Sequence, residues 1–276
     1  MPESPEVQAL AEFLDDRVRG RTVREVDILE FRTVKTRQSP PSTLVGRAFG
    51  GAERYGKHIA LAVDDDTRLV VSLGRHGWVR WRDTASDELP TDAPPALAEV
   101  ALDDGSVMQV TDAGTWVSLG LFVVDDPLAV PAIAKLGPDP ADPSYSQNDF
   151  EVALGRRRKQ VKAILQEQES IAGIGNAYSD EILHLAKVSP VVHAAALDDD
   201  TRSRLYAATI ETVRGAIGAR RGIPIDLLKA AKVASMRVHG RAGEACPVCG
   251  DTIRDFSFAS TDAQYCPTCQ TAGEVL

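Results

Sequence analysis

The sequence predicts an α+β protein: an N-terminal helix with a two-layer β-sandwich, then an all-helical domain, then a C-terminal metal-binding β-hairpin. Three observations carry this. Apolar residues alternate with period 2 over much of 22–125, they recur with period 3.6 after about 146, and all four cysteines fall in the last 31 of the 276 residues. About 43% of the residues are apolar, and the length suits two domains. The expected boundaries are a sandwich domain over 1–125, a linker over 126–145, a helical domain over 146–240 and a cysteine hairpin over 241–276.

Along the chain, residues 4–18 put Val7, Leu10, Ala11, Leu14 and Val18 on one helical face, with Ser4 as a plausible N-cap and Gly20 as a stop. Strands are expected at 22–28, 47–55, 57–63, 68–74, 78–83, 98–104, 106–112 and 118–124, separated by acidic and Gly-rich turns. Short strands at such close intervals predict a sandwich. The Pro- and Asp-rich run LGPDPADP marks the linker. Helices are expected at about 147–155, 158–169, 177–187, 199–218 and 224–232.

The formal net charge of −9 by itself argues against a polyanionic partner. It hides a polarity, however: residues 1–150 carry −10, 151–250 carry +4 and 251–276 carry −3. The basic segment centres on Arg156, Arg157, Arg158, Lys159 and Lys162, a run that standing alone reads as a solvated helix face. There is no run of 18 or more uncharged apolar residues, and the start MPESPEVQAL carries acids where a secretory signal has a basic flank. The expectation is a cytoplasmic protein with no membrane partner.

Cys246-x-x-Cys249 and Cys266-x-x-Cys269, with 16 residues between the pairs, have the spacing that lets four thiolates converge on one structural Zn²⁺. A redox reading needs one pair in a βαβ context, and neither condition holds. At the other end, removal of Met1 would leave Pro2 with a free secondary amine, whereas a retained methionine makes that nitrogen an amide with no nucleophilicity. An α-amino group titrates near pH 8, so about a tenth or more is unprotonated at neutral pH. Such an amine can attack a sugar C1′ and give a covalent iminium, with Glu3 beside it to shuttle protons. Met-Pro-Glu is also simply a common way to start a helix. In GIGN, Gly173 and Gly175 permit a tight turn, Asn176 is expected to cap the next helix, and the helix N-terminus offers N–H groups to a phosphate. On pattern alone this is a Gly turn before a capped helix; the basic run upstream shifts it toward phosphate.

Taken together, the chain resembles the formamidopyrimidine-DNA glycosylase and endonuclease VIII family over nearly its whole length. The matching motifs are Met-Pro-Glu at the start, ERYGKHI around Lys57, the Gly-x-Gly-Asn-x-Tyr signature from Gly173 to Tyr178, and the ending Tyr-Cys-Pro-x-Cys-Gln from Tyr265 to Gln270. The resemblance implies that the helical domain is a helix-two-turns-helix element and that the sandwich domain is catalytic. Pro2 is then the nucleophile, Glu3 the acid and base, Lys57 a contact near the lesion and Asn176 a phosphate contact; Lys162 in the basic run and Gly175 in the turn are expected to face DNA on the residue pattern itself. It implies a bifunctional glycosylase and abasic-site lyase that flips a damaged base out of duplex DNA and nicks the strand by β,δ-elimination. The enzyme would be a monomer, nucleoid-associated when on DNA, with no small-molecule cofactor and with zinc in a structural role.

Three positions depart from the family pattern. Where relatives carry an arginine five residues before the third cysteine, this chain has Thr261, which has no charge to grip phosphate; Arg254 lies within the same hairpin. Where relatives specific for oxidised purines insert methionine, arginine and phenylalanine into the gap left by the flipped base, this chain has Arg75, Gly114 and Trp116. Trp116 reads equally as a stacking wedge or as a sandwich core residue, and Arg75 or His76 can fill space beside it. His58 and His239 are the histidines placed to meet DNA. These changes keep two further readings open: a lyase for abasic sites or a narrow lesion, and a catalytically degenerate DNA-binding protein. A zinc ribbon unrelated to DNA is a fourth.

Overall fold

Eight antiparallel strands form two four-stranded sheets in the first half of the computed structural model, which describes residues 2–84, 93–258 and 261–276. They are β1 (Val23–Ile28), β2 (Phe49–Tyr55), β3 (His58–Val63), β4 (Thr67–Ser72), β5 (Gly77–Arg82), β6 (Ala96–Leu102), β7 (Val107–Asp112) and β8 (Gly120–Val124). One sheet runs β1-β6-β7-β5 and the other β2-β3-β4-β8. Every residue of β7 is buried, whereas β1, at an edge, exposes half of its residues. Helix α1 (Ser4–Val18) turns Val7, Leu10, Leu14 and Val18 fully inward, on the predicted face. Each such burial stabilises by roughly 1.5–3 kcal/mol. Ser4, expected as a cap, is instead the first helical residue, and Gly20 takes a positive φ just past the helix end.

A short helix α2 (Pro131–Ala134) lies in the stretch expected to be linker. The chain then forms α3 (Gln147–Leu154), α4 (Val161–Leu165), α5 (Asn176–Ala186), α6 (Asp199–Arg220) and α7 (Leu228–Ser235). Helix α3 starts with a reciprocal capping box between Ser146 and Asp149, and α6 with Asp198 accepting from Thr201 N–H. Phe150, Leu154, Ile164, Leu165, Ile182, Leu183 and Leu205 form the core of this region. The hairpin β9 (Arg254–Phe258) and β10 (Thr261–Tyr265), followed by α8 (Pro267–Gln270), closes the fold.

Two expected helices differ in extent. Helix α4 is shorter than 158–169 because Gln160 bridges to His193 and the carbonyls of Arg157 and Lys159 accept from Ala195 and Ala194, so tertiary pairing claims that backbone. Helix α7 starts later than 224 because Ile225 accepts a hydrogen bond from the Trp78 indole and residues 222–226 belong with the sandwich. Two compact units result: Pro2, 6–134 and 222–226 in the first, and 3–5, 135–221 and 227–276 in the second. Residues 3–5 thus belong with the helices, apart from the rest of α1. No helix among the described residues is long and apolar enough to cross a membrane.

Candidate active site

The carboxylate of Glu3 sits at the N-terminus of α5 and is 1% exposed. Gly175 N–H donates to its Oε2, as does Tyr178 N–H at 3.3 Å, while Ala177 N–H donates to Oε1 at 3.2 Å. These are the donors that an α-helix leaves unpaired in its first turn, at the positive end of its dipole. Lys232 of α7 donates to Oε1 at 2.9 Å, its ammonium lying 4.8 Å from the centre of the Tyr178 ring. Four donors therefore fix the position and orientation of one buried acid. Ser4 N–H adds a bond to Gly173 O at 3.0 Å.

This close approach explains the two glycines. Gly173 has φ +85°, and a Cβ there would lie 1.6 Å from Ser4 Oγ; a Cβ on Gly175 would lie 2.7 Å from Glu3 Cδ. The expected phosphate at this helix start is replaced by a protein carboxylate, and Asn176 is not the cap: Gly175 holds that position, and Asn176 is the first helical residue. Asn176 Oδ1 accepts from Gln166 at 3.2 Å, which leaves its Nδ2 donors unengaged among the described residues. Gln168 braces the two turns before α5, donating to Gln166 O and Ile174 O and accepting from Gly173 N–H.

Pro2 is buried and belongs to the sandwich unit, as does Lys57. Lys57 lies not within a strand but in the two-residue turn Gly56-Lys57 that joins β2 to β3, with a positive φ at Gly56, the first position of the turn. Arg54 fixes this turn, donating to Gly56 O at 3.1 Å and to Gln8 of α1 at 2.8 Å. His58 faces inward: burial and the charge of Lys57 push its pKa down to about 4, so it is a neutral packing residue at neutral pH.

The basic run does not form one surface. Lys162 is 3% exposed, its ammonium ion-paired with the buried Asp180 and bonded to Ser179 Oγ at 3.2 Å. Burial pushes its pKa down and Asp180 pushes it back up. Arg157 and Lys159 both pair with Glu167, leaving Arg156 and Arg158 exposed. The expectation of Lys162 as a surface cation is thereby corrected, because an unpaired Asp180 in that core would be more costly than the pair.

Trp116 is 80% exposed, which rules out the core alternative. Its loop is braced by Asp112, which accepts from Gly114 N–H, Ser118 N–H and Oγ, and Leu119 N–H. These bonds hold the Asp112 carboxyl below its usual range against the opposing effect of burial. Ser118 Oγ in turn accepts from Arg75 N–H at 3.0 Å, stitching in the loop that carries the exposed Arg75 and His76. Gly114 faces His76, where a Cβ would come within 2.9 Å of the ring. Thr261 pairs through its backbone with Phe258; its side chain lies outside the described residues. Arg254 is exposed at the start of β9.

The four cysteine Sγ atoms lie within 4.8 Å of one another, with Cys249 and Cys266 3.3 Å apart and Cys246 and Cys269 3.9 Å apart. A tetrahedral Zn²⁺ with bonds of about 2.3 Å sets sulfur separations of about 3.8 Å, so the cage fits. Burial pushes the Cys269 thiol up to about 11, and a divalent cation is the partner that lets buried sulfurs shed their protons. His184 Nε2 lies 3.3 Å from Cys246 Sγ, the outer partner that fixes a ligand.

Lys232 and Gln168 are not legible as site residues in the sequence. Nothing in LKAAKVAS distinguishes Lys232 from Lys229, and Gln168 reads as a surface glutamine.

Comparison with known proteins agrees along the chain. Residues 1–116 match the formamidopyrimidine-DNA glycosylase N-terminal domain, 136–225 the H2TH domain of the same enzymes, and 243–272 a zinc finger found in FPG and IleRS. The formamidopyrimidine-DNA glycosylase of Heliobacterium modesticaldum is 32% identical over 280 residues, covering 98% of this chain and all of the relative. That of Mycobacterium avium is 32% identical over 289 residues, covering 98% of both. The Lactococcus lactis enzyme in complex with FAPY-dG containing DNA superimposes with a TM-score of 0.85 at 26% identity, over 97% of this chain and 99% of that one. Its complex with abasic-site DNA gives 0.85 at 25%, with the same coverage.

Among the described residues the hairpin's buried core is small, comprising Val238, Ile253, Ala263, Tyr265 and the buried cysteines, so its metal is expected to be needed to hold it. A chromogenic chelator under denaturing conditions is expected to report one zinc per chain. Stripping it under native conditions should abolish the dispersed amide resonances of 243–272 while those of 147–186 persist.

Proposed function

The chain belongs to the formamidopyrimidine-DNA glycosylase family, and on that premise we propose that it is a bifunctional DNA glycosylase and abasic-site lyase of base excision repair. Its substrate is duplex DNA carrying an oxidised base, a reading supported by the FAPY-dG and abasic-site DNA bound to the Lactococcus lactis relative. The observation that carries the proposal is the Glu3 carboxylate, buried and held by three helix N–H groups and Lys232 immediately after Pro2. A scaffold kept only for binding has no use for an acid fixed so tightly beside an N-terminal proline.

In the proposed reaction the Pro2 amine, freed by loss of Met1, attacks C1′ of the flipped nucleoside. The C1′–N bond breaks and the base leaves with the bonding pair and a proton; opening of the sugar at O4′ gives the iminium. Loss of a C2′ proton then expels the 3′ phosphate, and a second elimination expels the 5′ phosphate. Glu3 gives and takes the protons of these steps, its carboxylate held at one place by the α5 N-terminus. Lys57, on its rigid turn, and the free donors of Asn176 contact phosphates beside the lesion. Trp116, with Arg75, fills the gap left by the extruded base. One structural zinc, closed by Cys246, Cys249, Cys266 and Cys269, leaves no position open for substrate. The enzyme works as a monomer in the cytoplasm, on nucleoid DNA. The rebuilt wedge favours one variant reading, an enzyme acting mainly on abasic sites or a narrow lesion.

Borohydride reduction of the methionine-processed protein on duplex DNA with one abasic site should give a covalent adduct mapped to residue 2. Pro2→Gly and Glu3→Gln should lose it or slow it severely; binding without any adduct in the wild type would refute the enzyme. Gly175→Ala should displace the Glu3 carboxylate and lower single-turnover cleavage by about 100-fold, the scale for a misplacement near 1 Å, with the melting temperature shifted by only a few degrees. Trp116→Ala should weaken binding to a non-cleavable abasic duplex by about 1–3 kcal/mol, the worth of one base–aromatic stack, and leave thermal stability unchanged.

A further inference from the structure

Between α7 and the zinc hairpin the strap Arg237-Val238-His239 is pinned by its backbone. Its three successive N–H groups donate to the Glu181 carboxylate at 2.9, 3.0 and 2.9 Å. The position of His239 is therefore set independently of its own side chain. That side chain has Nδ1 2.7 Å from Asp180 Oδ2, and Asp180 is 1% exposed. The other Asp180 oxygen accepts from Lys162. The imidazole is 28% exposed, and Nε2 has no partner among the described residues and is open to solvent.

This arrangement fixes the ring's chemistry. Asp180 accepts a proton-bearing Nδ1, so a neutral imidazole must turn the lone pair of Nε2 outward, and a lone pair repels a phosphate oxygen. A protonated imidazole presents N–H at the same point and a positive charge behind it. Lys162 already balances the charge of Asp180, so the anion that answers a proton on His239 must come from outside. Asn176 and Asp180 lie four residues apart on α5 and share a face, so the carboxylate that holds the ring is on the same side of the helix as Asn176.

We propose that His239 is a proton-linked phosphate ligand: it grips a DNA backbone phosphate through Nε2–H as an imidazolium, so that complex formation draws a proton from solution. This rests on the DNA-repair reading above and adds a regulated contact to it. The charged groups around the ring are Asp180 and Glu181 of α5, Lys162 of α4, Asp262 of β10 acting on Lys162, and Arg237 and Arg241 along the strap, Arg241 being paired with Glu244. None of the described acids is bonded to Nε2, which leaves that position to the ligand.

The test is calorimetry of the full chain with a duplex carrying a tetrahydrofuran abasic analogue, in buffers of different ionisation heat, with His239→Asn alongside. Asparagine keeps an N–H for Asp180 but takes up no proton. The wild type should take up as much as one proton, with affinity falling as pH rises. His239→Asn should lose the uptake, and near pH 6 its plot of log affinity against log salt should be shallower by about 0.9, the value of one phosphate contact. Near pH 8 the two proteins should converge. Uptake that persists in His239→Asn, or its absence from the wild type, overturns the proposal while leaving the repair function standing; failure of the wild type to bind the duplex at all overturns both. Should His239→Asn fold poorly, ¹⁵N resonances of the wild-type ring decide, since a neutral imidazole in the complex is equally fatal.

Discussion

One buried carboxylate organises the helical unit of this molecule. Taking a charged group such as that of Glu3 out of water costs several kcal/mol unless donors replace the hydration, and here the open end of α5 supplies three of them and Lys232 a fourth. The need to bring residues 3 and 4 against backbone dictates glycine at 173 and 175, draws residues 3–5 into the helical unit and sets the side of α7 on which a lysine is required. A helix N-terminus is ordinarily an invitation to an external anion. In this chain the invitation is answered from within, by Glu3.

The same economy governs the cations. A segment with net positive charge suggests a basic face, yet Lys162 is spent on Asp180, Arg157 and Lys159 on Glu167, and Arg202 on Glu151. The first three pairs flank the turns between α4 and α5 and the last joins α3 to α6, so these charges tie the helical region together more than they create an electrostatic surface.

Much of this is legible in the amino-acid sequence. The face of α1, the eight strands and the cysteine cage follow from periodicity and spacing, which are local properties. The family motifs point to Pro2, Glu3 and Asn176. What stays hidden is set by partners far along the chain. The shortness of α4 comes from pairing with 192–195, and the late start of α7 from a tryptophan of the sandwich. Lys57 reads as a strand residue because Tyr55 and His58 flank it, although the Gly-Lys pair is the turn itself. Lys162 and Lys232 carry no mark in the sequence that separates a buried ion pair from a solvated one. Trp116 is ambiguous for a related reason: burial is a tertiary property, and its exposure on a loop braced by Asp112 is visible only in the folded chain.

The sequence separation of 172 residues between Glu3 and Gly175 has a consequence for biosynthesis. At about 5–20 residues per second, the ribosome releases the segment that receives this carboxylate roughly ten to thirty seconds after the amino terminus has emerged. During that interval the Glu3 carboxylate, buried in the finished protein, has no helix N-terminus to receive it and stays in water. Docking of the first residues against the turn before α5 is therefore one of the late events in the making of this chain, completed only after the helical region has been released.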